Sequence, residues 1–296
     1  MTTVNDEHRL IAEGVDEEPV EANRRMYIGR TATVVIWIAI IYSAFHMLAL
    51  NGVSISGMTG GLIEIPLLPQ FPIETWNFRI AHVAGALFLG FVLFAARPFS
   101  SDSDNSNSGL VRYLAFPLLA CALFSLGVAF YFGWQIANGV AWQGLDATIR
   151  FNEIWLYGAL LWVAVFGSIF FGMIDRSPRH GMSYHDVVLA VAAIAVAAYL
   201  IAIYGTLMRN STGTPFAPIG ISMAAVAGTA LILELTRRVA GLALVIIAVV
   251  FLIYVFVGEY LPGFLSSPSV TWERFFSQVY TDAGVLGPTT AVSSTY

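Results

Sequence analysis

"LELTRRVAGLALVIIAVVFLIYVFVGEYLPGF", residues 233–264, decides the reading of the chain. From 240 to 261 the only charged residue is Glu259. A bilayer core of about 30 Å takes roughly 20 apolar residues in a helix that rises about 1.5 Å per residue. The run is therefore read as a membrane span. "YLPGF" stops it, because proline cannot continue a helix and glycine relaxes the turn. Before the basic break at Arg237 and Arg238 lies a second run, 218–236. Five more stretches qualify further out, at 33–50, 79–96, 113–134, 154–174 and 187–206. The expected fold is all-α, a polytopic membrane helix bundle of about seven transmembrane helices. The first run follows a long acidic tail and lacks an A-x-A end, so it reads as a retained span rather than a signal peptide.

Composition agrees and removes whole classes of chemistry. Of the 296 residues, 57% are hydrophobic and 11% charged, far from the balance of a soluble domain. A single cysteine, Cys121, provides neither an intrachain disulfide nor a cysteine metal cluster. All 14 basic residues are arginine. Without lysine there is no phosphate-cradling G-x-x-x-x-G-K-[ST] loop and no Schiff base, so seven helices here do not make a retinal protein. The acidic residues gather at 6–21 and at Asp102 and Asp104. Such segments suit a protein solvated in high salt, with genomic base composition as the plainer account.

Arginine placement sets an orientation, since basic residues near span ends resist translocation. With the N-terminus inside, the cytoplasmic face receives Arg9, Arg24, Arg25, Arg30, Arg97, Arg112, Arg176, Arg179, Arg237 and Arg238. The outer face receives Arg79, Arg150, Arg209 and Arg274. Trp76, Trp134, Trp142 and Trp155 then fall near the outer headgroups, where indoles partition. The expected location is the inner (cytoplasmic) membrane, multi-pass, with the N-terminus cytoplasmic.

"SVTWERFFSQVY", 269–280, differs from the spans. Trp272, Phe275, Phe276, Val279 and Tyr280 recur at helical spacing, while Glu273, Arg274 and Gln278 face away. A short amphipathic helix over 271–280, lying flat at the outer interface, is expected. Residues 283–296 turn back through Gly284, Gly287 and Pro288 and carry no charge. The expectation is that an eighth span follows, so that Tyr296 does not end the functional protein.

Candidate chemistry is sparse. His46 and His82 fall at a shared depth near the outer ends of the first two spans, which bis-imidazole haem ligation requires; interfacial hydrogen bonding is the plainer alternative. Glu234 precedes Arg237 and Arg238 by three and four residues, the spacing of a local ion pair at the cytoplasmic boundary. Proton or ion coupling is the rival role for such a carboxylate. Glu259 reads as an interface residue. Small residues in "VVLAVAAIAVAAYLIAIYG" and "ISMAAVAGTALILEL" favour close helix packing, without a sustained G-x-x-x-G face. "NST" at Asn210 fits an N-glycosylation acceptor. No Ser/His/Asp set, H-E-x-x-H helix or facing aspartate pair occurs, and the chain is expected to be no enzyme.

Segment 233–264, with "WERFFSQVY" and "GVLGPTTAVSSTY" behind it, resembles the fused permease of TRAP (tripartite ATP-independent periplasmic) transporters, the type paired with TAXI-like solute receptors. In that family an E-x-T-R-R segment leads into a long apolar helix ending at G-x-Y-L-P-G. Glu234, Thr236, Arg237, Arg238, Gly258, Tyr260, Leu261, Pro262 and Gly263 stand at those places. "FRIAHVAGALFLGFVLFAARPF", 78–99, is similar to the family's R-x-x-H entry helix, through Arg79, His82 and Pro98. The resemblance covers 31–99 and 180–296; the helix pair at 113–174 stands as an insertion. It implies an acidic cytoplasmic tail (1–30), small-subunit-like helices (31–174) and the opening of the large permease subunit (175–296). It further implies sodium-driven uptake of organic acids delivered by an extracytoplasmic receptor, with sodium the coupling ion and no other cofactor. The remaining partners would be the rest of the large subunit and the bilayer, not nucleic acid. The family's substrate and sodium residues belong to re-entrant hairpins expected beyond Tyr296, so no position here inherits them. Two alternatives stay open: a stand-alone scaffold or accessory subunit without transport, and a haem-binding oxidoreductase subunit using His46 and His82.

Overall fold

The structure, a computed structural model, describes residues 23–50, 75–99, 109–140, 146–175, 177–203, 219–281, 284–287, 290 and 293. Seven helices among them are long and apolar enough to cross a membrane. They are α1 (Arg30–Leu50), α2 (Thr75–Leu93), α3 (Gly109–Ala137), α4 (Ala147–Ile174), α5 (Tyr184–Ala202), α6 (Ile219–Ala240) and α7 (Leu242–Val257). A short α8 (Trp272–Gln278) follows. No strand occurs among the described residues; the protein is an all-α, polytopic membrane bundle.

Helix α5 is the hub, and its composition explains why. Ala190, Ala192, Ala193, Ala195 and Ala197 are buried and small, so α2, α3, α4 and α6 all approach its backbone closely. In lipid, where apolar side chains gain nothing by hiding from the solvent, this close packing is what joins helices. Valine, leucine and aromatic side chains fill the remaining space: Val188, Leu189, Leu200 and Tyr199 are fully enclosed. At the other extreme, α1 and α7 have no buried residue among those described, and their apolar faces are open. Such all-round apolar rods are stable only against lipid or other membrane helices.

The fourth span starts earlier than its hydropathy suggests, at Ala147 rather than 154. Asp146 is the reason: its carboxylate accepts from the backbone N–H groups of Thr148 and Ile149 at 2.8 and 3.1 Å, an N-cap that fixes the helix start. Asn152 to Ala159 then form a wider, π-helical turn inside α4. As a result Glu153, expected in an outer loop, is enclosed in the bundle.

Between α6 and α7 there is one residue. Gly241 adopts φ 84° and ψ 177°, a backbone region essentially open to glycine alone. It permits α7 to fold back along α6, so that Val226 and Thr229 share a cleft of about 250 Å³ with Ile253 and Phe256. Trp272 and Phe276 of α8 close one end of that cleft, Trp272 stacking on Phe256 at 4.1 Å. The Thr271 hydroxyl caps α8 by accepting from the N–H of Arg274. This is the amphipathic segment expected over 271–280. The acidic tail before residue 23, Trp142, Arg209, Asn210, Asp102, Asp104 and Tyr296 lie outside the described residues.

Candidate functional site

Helix ends decide where the charges go. The last carbonyls of α2 have no intrahelical donor. Guanidinium groups from two distant segments supply the missing donors. Arg25 Nη1 donates to the carbonyls of Phe91 and Val92 at 2.9 and 3.0 Å, and Arg238 Nη1 donates to that of Phe94 at 3.0 Å. Arg237 Nη2 reaches the carbonyl of Ala96 at 3.0 Å. Asn23 ties the same corner, its side-chain amide donating to the carbonyls of Ala95 and Arg238.

Two carboxylates balance these three cations. Asp186, in the first turn of α5, accepts from Arg25 and, at 2.6 Å, from Arg238. Glu234 accepts from Arg237 Nε and Nη2 and from Arg238 Nε, each at 2.8 Å. Helix dipoles favour this arrangement, an anion at the start of α5 and cations at the end of α6. His185 adds a contact to Asp175 at 3.4 Å. Arg25, Arg238 and Asp186 side chains are fully enclosed, and that of Glu234 is 2% exposed. The spacing of Glu234 from its arginines suggests a boundary pair. The structure forms that pair and extends it into a buried network that joins the N-terminal segment, α2, α5 and α6. The small worth of an exposed pair therefore does not apply. Just outside the spans, the Tyr27 hydroxyl donates to the carbonyl of Val92, and burial raises its pKa.

The opposite end of the bundle holds the two histidines. His46 Nε2 and His82 Nδ1 are hydrogen-bonded directly at 2.7 Å. His46 Nδ1 lies 2.8 Å from the carbonyl of Tyr42, and Ser293 Oγ lies 3.3 Å from His82 Nε2. Axial haem ligation requires the two rings on opposite sides of an iron, with both coordinating nitrogens aimed at it. Rings that bond each other do not fit that group.

The other positions that carry the sequence resemblance are places of chain reversal and packing. Arg79 Nη1 donates to the carbonyl of Leu286 at 2.8 Å, pinning the segment after α8 to α2. Gly258 and Tyr260 bound a tight turn that ends α7, and the Gly258 carbonyl accepts from the N–H groups of Leu261 and Ser267. Pro262 and Gly263 lead into a second such turn; Gly263 has φ 65°, and Tyr260 is largely exposed. Glu234, Arg237 and Arg238 thus stand at one end of the bundle, and Arg79, His82 and the 258–263 turn at the other.

Arg25, Asp186 and Glu153 were not singled out by sequence patterns. Asp186 carried a readable signal, an acidic residue in the first turn of a helix. Its partners lie 161 and 52 residues away, which no local pattern encodes. Among the described residues, no group of three or more His, Cys, Asp or Glu side chains is placed to hold a metal ion. No protein-family model, curated protein or solved structure matches the chain.

Proposed function

We propose that this chain is a scaffold-forming part of a TRAP-type permease in the inner membrane, with the N-terminus cytoplasmic. In this reading an extracytoplasmic receptor delivers an organic acid, and a sodium gradient drives its uptake through a moving transport domain. The observation that carries the reading is the buried network at Glu234, Arg237, Arg238, Asp186 and Arg25. Three of the residues on which the family resemblance rests, Glu234, Arg237 and Arg238, join Asp186 and Arg25 in tying four segments together, as a static brace requires. The open apolar faces of α1 and α7 suit contact with lipid and with further permease helices.

The test is transport in membranes of the native host. Vesicles from cells with and without the intact gene are compared for sodium-driven uptake of carboxylates, with the tagged chain used to capture its companions. Gene-dependent, sodium-dependent uptake and capture of a soluble receptor are expected. Identical uptake by both vesicle preparations would leave the scaffold without transport as the better account.

A further inference from the structure

Helices α1 and α2 bring several polar atoms to one point. Tyr42 makes the approach possible: its ring lies against Gly85 of α2, where a Cβ would come within 2.1 Å of the ring edge. One turn further along α1, His46 stands opposite His82, nitrogen to nitrogen at 2.7 Å. Both imidazoles are half-buried. The Tyr42 and Phe78 rings flank His46 at 4.4 and 5.3 Å and hold its plane.

The outer nitrogen of each ring assigns the protons through its hydrogen bond. His46 Nδ1 faces the carbonyl of Tyr42 at 2.8 Å, and a carbonyl only accepts, so Nδ1 carries the proton. The Ser293 hydroxyl donates to the Thr290 carbonyl at 3.2 Å and turns a lone pair to His82 Nε2 at 3.3 Å. His82 is thereby the Nε2–H tautomer. A neutral imidazole has one N–H, so His46 Nε2 and His82 Nδ1 are both left as lone pairs aimed at each other. The Tyr42 hydroxyl, 3.2 Å from His82 Nδ1, donates to the His82 carbonyl at 2.8 Å and adds an oxygen lone pair to the same point. Two nitrogens and one oxygen, all electron-pair donors, call for a cation between them. Metal-binding imidazoles are held in this way, the outer N–H on an acceptor and the inner nitrogen free to ligate. Two Zn–N bonds of about 2.0–2.1 Å at a tetrahedral angle set their nitrogens about 3.3 Å apart. From 2.7 Å the rings reach that spacing by parting about 0.6 Å. A porphyrin would need its whole plane between the rings; a bare ion needs only the point where the lone pairs meet.

We propose that His46 Nε2 and His82 Nδ1 bind a late first-row transition-metal ion such as Zn²⁺, with Tyr42 Oη as third donor and water completing the set. Imidazole suits ions of this class. Bound there, the ion ties α1, which has no buried residue among those described, to α2. The site is independent of the transport reading.

The test is titration of the full chain with Zn²⁺, an ion without redox chemistry of its own, after purification in detergent without a histidine tag. One ion per chain is expected. His46→Gln and His82→Gln are each expected to weaken binding by about 10–100-fold or more, since loss of an outer-shell partner alone costs that much. His180→Gln, at the other end of the bundle, is expected to leave it unchanged. No saturable uptake by the wild type would overturn the proposal and leave a proton shared by the two rings. Equal affinity in the wild type and either variant, His46→Gln or His82→Gln, would overturn it too. X-ray absorption of zinc bound to the His180→Gln chain reads the site even if the other variants do not fold. Two imidazole nitrogens at about 2.0–2.1 Å are expected, and a shell with fewer than two would overturn the proposal.

Discussion

Arg238 bridges Asp186 and Glu234, donating at 2.6 Å to the first and 2.8 Å to the second, with none of the three side chains more than 2% exposed. Neutralising Asp186 leaves Arg25 and Arg238 buried around an amide. Asp186→Asn is therefore expected to lower stability by about 3–5 kcal/mol, the cost of breaking a buried pair from one side. Thermal unfolding of the purified chain in detergent checks this, and a loss under about 1 kcal/mol would contradict it.

The two adjacent arginines are not equivalent. The Arg237 side chain is 22% exposed, while that of Arg238 is enclosed. Arg238→Ala takes a fully enclosed partner from two buried carboxylates at once, Asp186 keeping Arg25 and Glu234 keeping Arg237, and is expected to cost about 3–5 kcal/mol. Arg237→Ala removes a partly exposed partner from one carboxylate, Glu234, which keeps Arg238, so a cost nearer about 1–2 kcal/mol is expected. Equal melting temperatures for the two variants would show that burial does not rank them.

Gly241→Ala places a Cβ in open space, yet forces alanine into φ 84°, ψ 177°. The expected penalty is about 1–3 kcal/mol, from backbone strain alone. Limited proteolysis and thermal unfolding of the variant report it; unchanged behaviour would mean that the turn relaxes freely.

Tyr280 is 2% exposed, and its hydroxyl has no hydrogen-bond partner among the described residues. Burial pushes its pKa well above the tyrosine range. The folded form thus holds the phenolic proton after the unfolded form has begun to lose it, near pH 10. Stability from this residue is complete below that pH and falls as pH rises through it. Tyr280→Phe is expected to leave stability at pH 7 unchanged or raised and to flatten the alkaline decline. A steeper decline in the variant would reverse the argument.

The proposed orientation is checked by labelling Pro98→Cys and Val140→Cys, each in a Cys121→Ser background; both positions are exposed. An impermeant thiol reagent on intact cells is expected to mark position 140 and not 98. The opposite pattern would invert the topology.

Span number was legible because hydropathy is a local property that lipid enforces at every helix. The helix α8 was legible for a similar reason, through its aromatic spacing. The start of α4 was not. Arg150, Asn152 and Glu153 look like a loop until Asp146 is recognised as a cap, and the contact that holds Glu153 inside the bundle comes from Tyr199 on α5. His46 and His82 showed their shared depth in the sequence, but their direct bond depends on how α1 leans on α2. Glu234 was visible as an i,i+3 and i,i+4 pair, while its burial depends on Asp186 and on the ends of α2. What escaped is the part of the site supplied by residues distant in the chain.

The single residue between α6 and α7 also has a mechanical meaning. Arg237 and Arg238, four and three positions before Gly241, are fastened to the chain at the end of α2 and to α5, whereas α7 beyond it has no buried side chain. The boundary between anchored and unanchored protein therefore falls across two backbone torsions. A sideways load on α7 from a neighbouring helix is taken up as rotation at this pivot, and little of its torque reaches the hub.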